Sequence, residues 1–254
     1  MNNQAVLGQF LRPVGKFDLV RLGSDGDGGY LVVKQDVENA DILISLGICD
    51  DWSFEDAFLK VNNVPLEAFD GSISLYDLFK MLIKSLLQFF KLKRLFHSIF
   101  ALSTYNLFFS GSKRHHKYFV GYDKKPNFVS LKSIFDKHVV ADQRAFLKID
   151  IEGWEYRILD DLIAVADGLS GLVIEFHDVD LHIDTIKRFV DKLPLGVAHV
   201  HCNNFADVNP GHTPLVIEVT FSDPNGSSEG DLSFPHELDA PNNVTKADYQ
   251  IAFK

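Results

Sequence analysis

Carboxylates and imidazoles recur at the ends of apolar runs in this 254-residue chain, where they are placed for proton transfer or metal ligation. His177 directly follows the apolar run at 172–176, with Glu175 two positions before it. Asp150 and Glu152 follow the run at 146–149, and His201 lies near the end of 197–202. A neutral imidazole is the most economical general base near pH 7, so His177 is the first candidate to accept a proton and His201 the second. Asp150 and Glu175 can orient a reacting group or offset a cation beside it. Asp150, Glu175, His177 and His201 also offer the oxygen and nitrogen ligands that suit a divalent ion, which would lower the pKa of a bound hydroxyl. None of them forms a tight diagnostic pair such as H-E-x-x-H, so the metal is the less favoured use. A second constellation is Gly47, after the run 42–46, with Asp70 at the end of the next run, 23 residues on. Glycine lets a ligand approach the backbone, and a carboxylate at that distance is where nucleoside-binding α/β folds hold ribose hydroxyls. A G-x-G-x-x-G fingerprint is missing, so the loop suits a ligand that has a ribose but no pyrophosphate.

The elements that must position these residues alternate along the chain. Strand-like runs at 19–22 and 30–33 flank a Gly/Asp turn, the usual signal of a hairpin. Residues 42–46 form an almost wholly apolar run of the kind expected in a strand buried on both faces. Asp50, Asp51 or Ser53 then caps a helix that starts near 52–54. After a strand at 64–69, residues 75–99 show helical spacing, with Leu75, Leu78, Phe79, Leu82, Leu86, Phe89 and Phe90 on one side and Lys80, Lys84, Gln88 and Lys91 on another. The polar stretch 110–117, which contains His115 and His116, reads as a solvated loop, and 118–122 as a short strand. There follow a helix at 130–138, a strand at 146–152, a helix at 154–165, a strand at 172–177, a helix at 183–193, and strands at 197–202 and 215–221. This order predicts a mostly parallel sheet with helices on both faces. Residues 222–243 read as irregular and turn-rich.

Composition narrows the function. With 25 basic and 35 acidic residues the formal charge is −10, which argues against a nucleic-acid partner. Two cysteines, Cys49 and Cys202, exclude a disulfide framework and a thiolate zinc site. The first residues lack the pattern of a secretory signal, so a cytoplasmic address is expected. The acidic average hides a basic island: residues 78–122 hold eight Lys or Arg and no Asp or Glu. Lysines interrupt its apolar stretch too often for a membrane span.

S-adenosylmethionine is a ribose ligand without phosphate, and the sequence of 146–159, FLKIDIEGWEYRIL, resembles the signature of the FkbM-type methyltransferases that use it. Asp27-Gly28-Gly29-Tyr30 is similar to the DGGY element of a sugar-modifying branch of that family. Residues 45–48 with 53–55 resemble its cofactor loop and following helix, and 69–73 its second-strand end. Glu175-Phe176-His177 and the stretch His199 to Asn204 resemble its late elements. The resemblance implies a Rossmann-like, mostly parallel seven-stranded α/β sheet in a single domain over 1–254. A basic, helical insertion at 75–117 would follow the second core strand. It implies that Gly28, Gly29, Tyr30, Gly47, Ser53, Phe54, Glu55, Asp70, Ser72, Asp150 and Glu152 bind the cofactor, with Asp70 on the ribose and Asp150 near the sulfonium. Asn203 and Asn204 either bind sugar hydroxyls or form a turn.

The expected activity is methyl transfer from S-adenosylmethionine to a hydroxyl of a sugar, nucleotide-linked sugar or glycan. The alternatives are an NAD-dependent nucleotide-sugar oxidoreductase, against which the missing glycines speak, and a non-catalytic module that binds a membrane or a partner. Three readings of the Phe-rich island stand open: the buried side of a cap helix, a wall that selects an anionic acceptor, and a peripheral contact of 75–109 with the inner face of a membrane.

Overall fold

The computed structural model describes residues 3–87, 92–122 and 125–254. In chain order the elements are β1 (Gln4–Leu7), β2 (Leu19–Leu22), β3 (Tyr30–Val33), α1 (Lys34–Glu38), β4 (Ile42–Leu46), α2 (Ser53–Val61), β5 (Leu66–Phe69), α3 (Leu75–Leu87) and α4 (Leu92–Phe108). They continue with β6 (Lys113–His116), β7 (Phe119–Val120), β8 (Phe128–Val129), α5 (Leu131–His138), β9 (Ala145–Ile149), α6 (Leu159–Val165), β10 (Leu169–Phe176), α7 (Val179–Val190), β11 (Gly196–Cys202), β12 (Ile217–Ser222) and β13 (Gln250–Phe253).

Seven strands make one sheet in the order β11-β12-β10-β9-β4-β5-β6. β12 runs antiparallel to both its neighbours, and the other pairings are parallel. This is a Rossmann-like sheet, and the chain changes direction across it between β4 and β9, where such folds place their ligands. Side chains on a strand alternate between faces, and each face has its own core. Ile42, Ile44 and Leu46 of β4 and Leu147 and Ile149 of β9 pack on one side with α5, α6 and α7. Leu43 and Phe146 pack on the other with α2 and the β2–β3 hairpin. On this second face Ser45, Lys148 and Glu175 take the places of apolar residues near the carboxyl ends of β4, β9 and β10, and all three are buried.

Three expectations are corrected. Residues 113–116 are the edge strand β6 rather than a loop: their polar sequence, KRHH, hides a strand that needs an apolar partner on one side only, and His116 stacks on Phe69 with ring centroids 4.5 Å apart. The helix expected over 154–165 begins as a 3-10 turn, Glu155–Arg157, and becomes α-helical only at Leu159, because the chain must first clear the Gly153 turn. The apolar spacing in 75–99 does not mark the buried side of a cap. Leu78 is buried, yet Leu75, Phe79 and Leu86 of the same stripe are exposed. Gln88, Phe89, Phe90 and Lys91 lie outside the described residues.

Candidate active site

A cleft of about 670 Å³ opens at the carboxyl ends of β4, β5, β9 and β10, a volume within the usual range for a small-molecule site. Gly47, Phe54, Glu55, Asp70, Ser72, Asp150, Glu152, Glu175 and His177 line it together with Gly28. Gly29, Tyr30, Ser53 and His201 do not. Backbone strain concentrates on the rim. Cys49, Glu152 and Asp178, which follow β4, β9 and β10, all have positive φ, at 44°, 56° and 49°, and residues held in that region cluster at functional sites.

Gly47 is required for a reason other than ligand approach. Its φ is +80°, and a Cβ there would lie 1.6 Å from the carbonyl oxygen of Asp150. Asp70 holds the loop that follows. One carboxylate oxygen accepts the backbone N–H groups of Ile48 and Cys49 at 3.0 and 2.8 Å, and the other accepts the N–H and hydroxyl of Ser72 at 2.7 and 2.6 Å. Four accepted bonds fill the capacity of a carboxylate. Replacing Asp70 with Ala should therefore cost about 2–3 kcal/mol of stability as well as ligand affinity, since two part-buried amides lose a charged acceptor. Urea unfolding with and without ligand separates the two effects.

The polar cluster on the second sheet face is tightly bonded. Tyr30, itself buried, places its hydroxyl 3.0 Å from both Asp150 Oδ2 and Glu175 Oε2. A phenol carries one proton for these two oxygens. Burial, and then the charge of Asp150, push the pKa of Glu175 well above the ordinary carboxylate range. Asn203 donates to Glu175 Oε1 at 3.0 Å. Lys148 bonds the carbonyl of Gly47 and sits 3.7 Å from Asp150 Oδ2. Burial pulls its pKa down, but Asp150, Glu55, Glu175 and Asp70 together raise it, so it stays an ammonium.

His177 is held between two shells of carboxylates. Its Nδ1 lies 3.1 Å from Glu155 Oε1, which also accepts the N–H groups of Ile151 and Gly153. Its Nε2 faces Glu152 and Glu175 at 3.5 and 3.7 Å. Burial lowers the imidazole's pKa, but the bond to Glu155 and the charges of Glu155, Glu175 and Asp150 outweigh it, and the pKa rises to about 9. Without a ligand His177 is thus a cation at neutral pH. His201 is placed differently. In register it faces Glu218, which in turn faces Glu175 across β12, so it lies two strands from the cleft. Its two ring nitrogens are taken by Glu218 at 3.2 Å and Asp248 at 3.0 Å. His199 is likewise held by Asp239 at 2.9 Å, and Asn204 ties down the backbone of residues 243–247.

Sequence patterning left Glu155, Lys148 and Asp27 unassigned. The signal for the first two was present as charge inside or directly after an apolar run, where an unpaired charge would be costly. Ligand atoms of Asp150, Glu175 and His177 lie within 4.8 Å of one another, as do those of Glu67, His116 and His138; His201 joins neither group. Among the described residues, the island lines the cleft through His97, Tyr118, Phe119 and Val120 and not through a lysine or arginine. Eight carboxylates line it instead, against Lys148, His97 and His177.

Residues 88–194 match the model of the methyltransferase FkbM domain. The match covers 107 of the 254 residues. Its segment spans α4 to the end of α7 and carries Asp150, Glu152, Glu155, Glu175 and His177. Solved structures similar to the chain include a precorrin-6y C5,15-methyltransferase from Geobacter metallireducens (14% identity, 75% of this chain and 84% of that one, TM-score 0.38). Another is an rRNA methylase from Streptococcus thermophilus (11% identity, 75% and 91%, TM-score 0.38). No curated protein matches the chain.

Proposed function

We propose that the chain transfers the methyl group of S-adenosylmethionine to a hydroxyl of a sugar, a nucleotide-linked sugar or a glycan. The observation that carries this reading is the lining of the cleft: carboxylates converge from four strand ends, and a histidine with a buried glutamate behind it faces them. The residues present fit the cofactor. Glu55 Oε2 is buried and accepts no hydrogen bond among the described residues, and it lines a cleft rich in carboxylates, which suits a ligand with an ammonium and a sulfonium. Gly28, Gly47, Phe54, Glu55, Asp70, Ser72, Asp150 and Glu152 would hold it, with Asp70 on the ribose, while Gly29, Tyr30 and Ser53 would stand behind the wall.

When bound, the cofactor supplies an electrophilic methyl on a cationic sulfur. Glu155 accepts the Nδ1–H of His177 and so turns Nε2 toward the cleft. In its neutral form His177 Nε2 takes the proton of the acceptor hydroxyl as the oxygen attacks, and the cleft holds that oxygen in line. Asp150 and Glu175, bridged by Tyr30, orient the acceptor. The outer walls add Tyr118, Phe119, Trp154 and Phe205 beside Asp27 and Asn203, a mixture of flat apolar faces and hydrogen-bonding groups that suits a polyhydroxylated ring.

Heat stability tests the cofactor. At a hundredfold its dissociation constant, S-adenosylmethionine should stabilise the fold by about 2.7 kcal/mol, and NAD should not. The reverse result would overturn the reading. A screen of sugar nucleotides and glycans for a mass gain of one methyl then tests the acceptor.

A further inference from the structure

Helices α3 and α4 pack against each other and bury Leu78, Ala101 and Phe108 in the core, yet each also carries large apolar side chains on its outer side. The seam between them is small and polar: Ser85 and Ser98 are buried with their hydroxyls 3.0 Å apart, and Ala101 is fully buried beside them. On α3, Tyr76, Phe79, Ile83, Leu86 and Leu87 are all exposed, and at about 100° per residue they fall within an arc of about 100°. Lys80 and Lys84 lie at one edge of that arc and are exposed too. On α4, Phe96, Ile99, Phe100 and Leu107 form a second outward stripe, with Phe96 68% and Leu107 77% exposed. Among the described residues, these two helices carry eleven of the twenty-one large apolar side chains that are exposed.

A water-soluble hairpin turns its apolar stripe inward. This pair has an inward apolar face and keeps a second apolar stripe on its outer side, which packing on the core does not explain. Contiguous exposed apolar patches of this kind mark an interaction surface. No helix among the described residues is long and apolar enough to cross a membrane, which leaves a hairpin lying in the interface. The charge names the occupant. Residues 78–122 hold eight Lys or Arg and no acid, while the rest of the chain is strongly acidic. A second copy of the chain would bring Lys80, Lys84 and Arg94 against their own kind, whereas an anionic lipid surface neutralises them.

We infer that the α3–α4 hairpin binds the surface of an anionic phospholipid membrane, with Phe79, Ile83, Phe96 and Phe100 among the acyl chains and Lys80 and Lys84 at the headgroups. The inner side of α4 ties this surface to the cleft. His97 lines the cleft and sits 3.1 Å from Asp50, and Phe108 stacks on Trp52 with centroids 6.0 Å apart. Where the methyltransferase reading holds, the cleft therefore faces acceptors held at a membrane.

Flotation of the full chain with vesicles tests the surface without any need for turnover. The wild-type chain should float with phosphatidylcholine vesicles containing about one-third phosphatidylglycerol, partition at least tenfold less onto pure phosphatidylcholine, and be released by salt. F79D/F96D and, separately, K80E/K84E should each lower partitioning onto the anionic vesicles by about tenfold or more, with an unchanged unfolding midpoint and S-adenosylmethionine affinity. All four sites are exposed, so both variants should fold; should either fail to, F79S/F96S replaces it. Equal flotation of wild type and variants overturns the inference. So does no flotation, with or without a concentration-dependent dimer that F79D/F96D dissolves. Failure of the chain to bind S-adenosylmethionine would overturn the methyltransferase reading and leave the flotation result standing.

Discussion

Replacing His177 with Ala should lower kcat by about 10²- to 10⁴-fold and leave the affinity for S-adenosylmethionine within about twofold of normal. The ring's Nε2 faces the cleft, its other nitrogen is fixed by Glu155, and no other histidine of the sheet is free to take a proton there: both ring nitrogens of His201 are bonded to carboxylates. The pH profile gives a sharper test. His177 titrates near 9 without ligand, so kcat/KM, which reports the free enzyme, should rise with pH and level off near 9. The limb should vanish in His177→Asn. In kcat the limb should fall at lower pH, because a bound cation offsets the carboxylates that hold the proton on the ring. The same raised pKa has an opposite effect on folding. Its contribution is fully present below about pH 6.5, the ordinary value for histidine, and is lost as the pH rises through about 9. Stability should therefore decline over the range in which activity climbs. Undiminished turnover in the Ala variant would place the base elsewhere, and sensitivity to a chelator would then point to a metal at Asp150 and Glu175.

Gly47→Ala should be the most damaging single change in the cleft, costing about 4 kcal/mol or more. The new methyl would overlap the carbonyl oxygen of Asp150 at 1.6 Å, an atom of the backbone that no rotamer change can move. That backbone is pinned in turn, since the Asp150 N–H donates to the Leu46 carbonyl at 2.9 Å across the β4–β9 pair. The left-handed φ alone costs an alanine about 1–2 kcal/mol. A loss of that size removes much of the margin of an ordinary domain, so the midpoint of urea unfolding should fall sharply. Gly28→Ala serves as the comparison. Its φ is also positive, but its Cβ would meet only the Asp51 carboxylate at 3.1 Å, the end of a side chain that can turn aside. Equal midpoints for the two variants would refute the backbone explanation.

The fold was largely legible because its central strands announce themselves. ILISL at β4 and the runs of β9 and β10 are apolar but for a few buried polar residues, as strands covered on both faces are, and Gly47, Asp150 and His177 follow at their ends. What stayed hidden depended on pairing across the sheet. Nothing local distinguishes His201 from His177: each follows an apolar run. Only the register of β12, which sets Glu218 between Glu175 and His201, assigns one to the cleft and the other to the interior. Lys148 and Glu155 escaped for a related reason, since a buried charge becomes meaningful once its partners from other elements are known. β6 was hidden by its basic sequence, and the outward stripe of α3 has the same period as an inward one.

The three left-handed residues at the strand ends bear on how this protein would respond to selection for heat resistance. Cys49, Glu152 and Asp178 each hold a backbone angle that glycine adopts without penalty and that costs a side chain on the order of 1 kcal/mol. A library screened for thermal tolerance would be drawn to glycine at these places and would gain its degrees by relaxing the very corners that aim the carboxylates. Hardiness and turnover should then trade against one another at the same three codons, while the helices on the far side of the sheet remain open to improvement at no such cost.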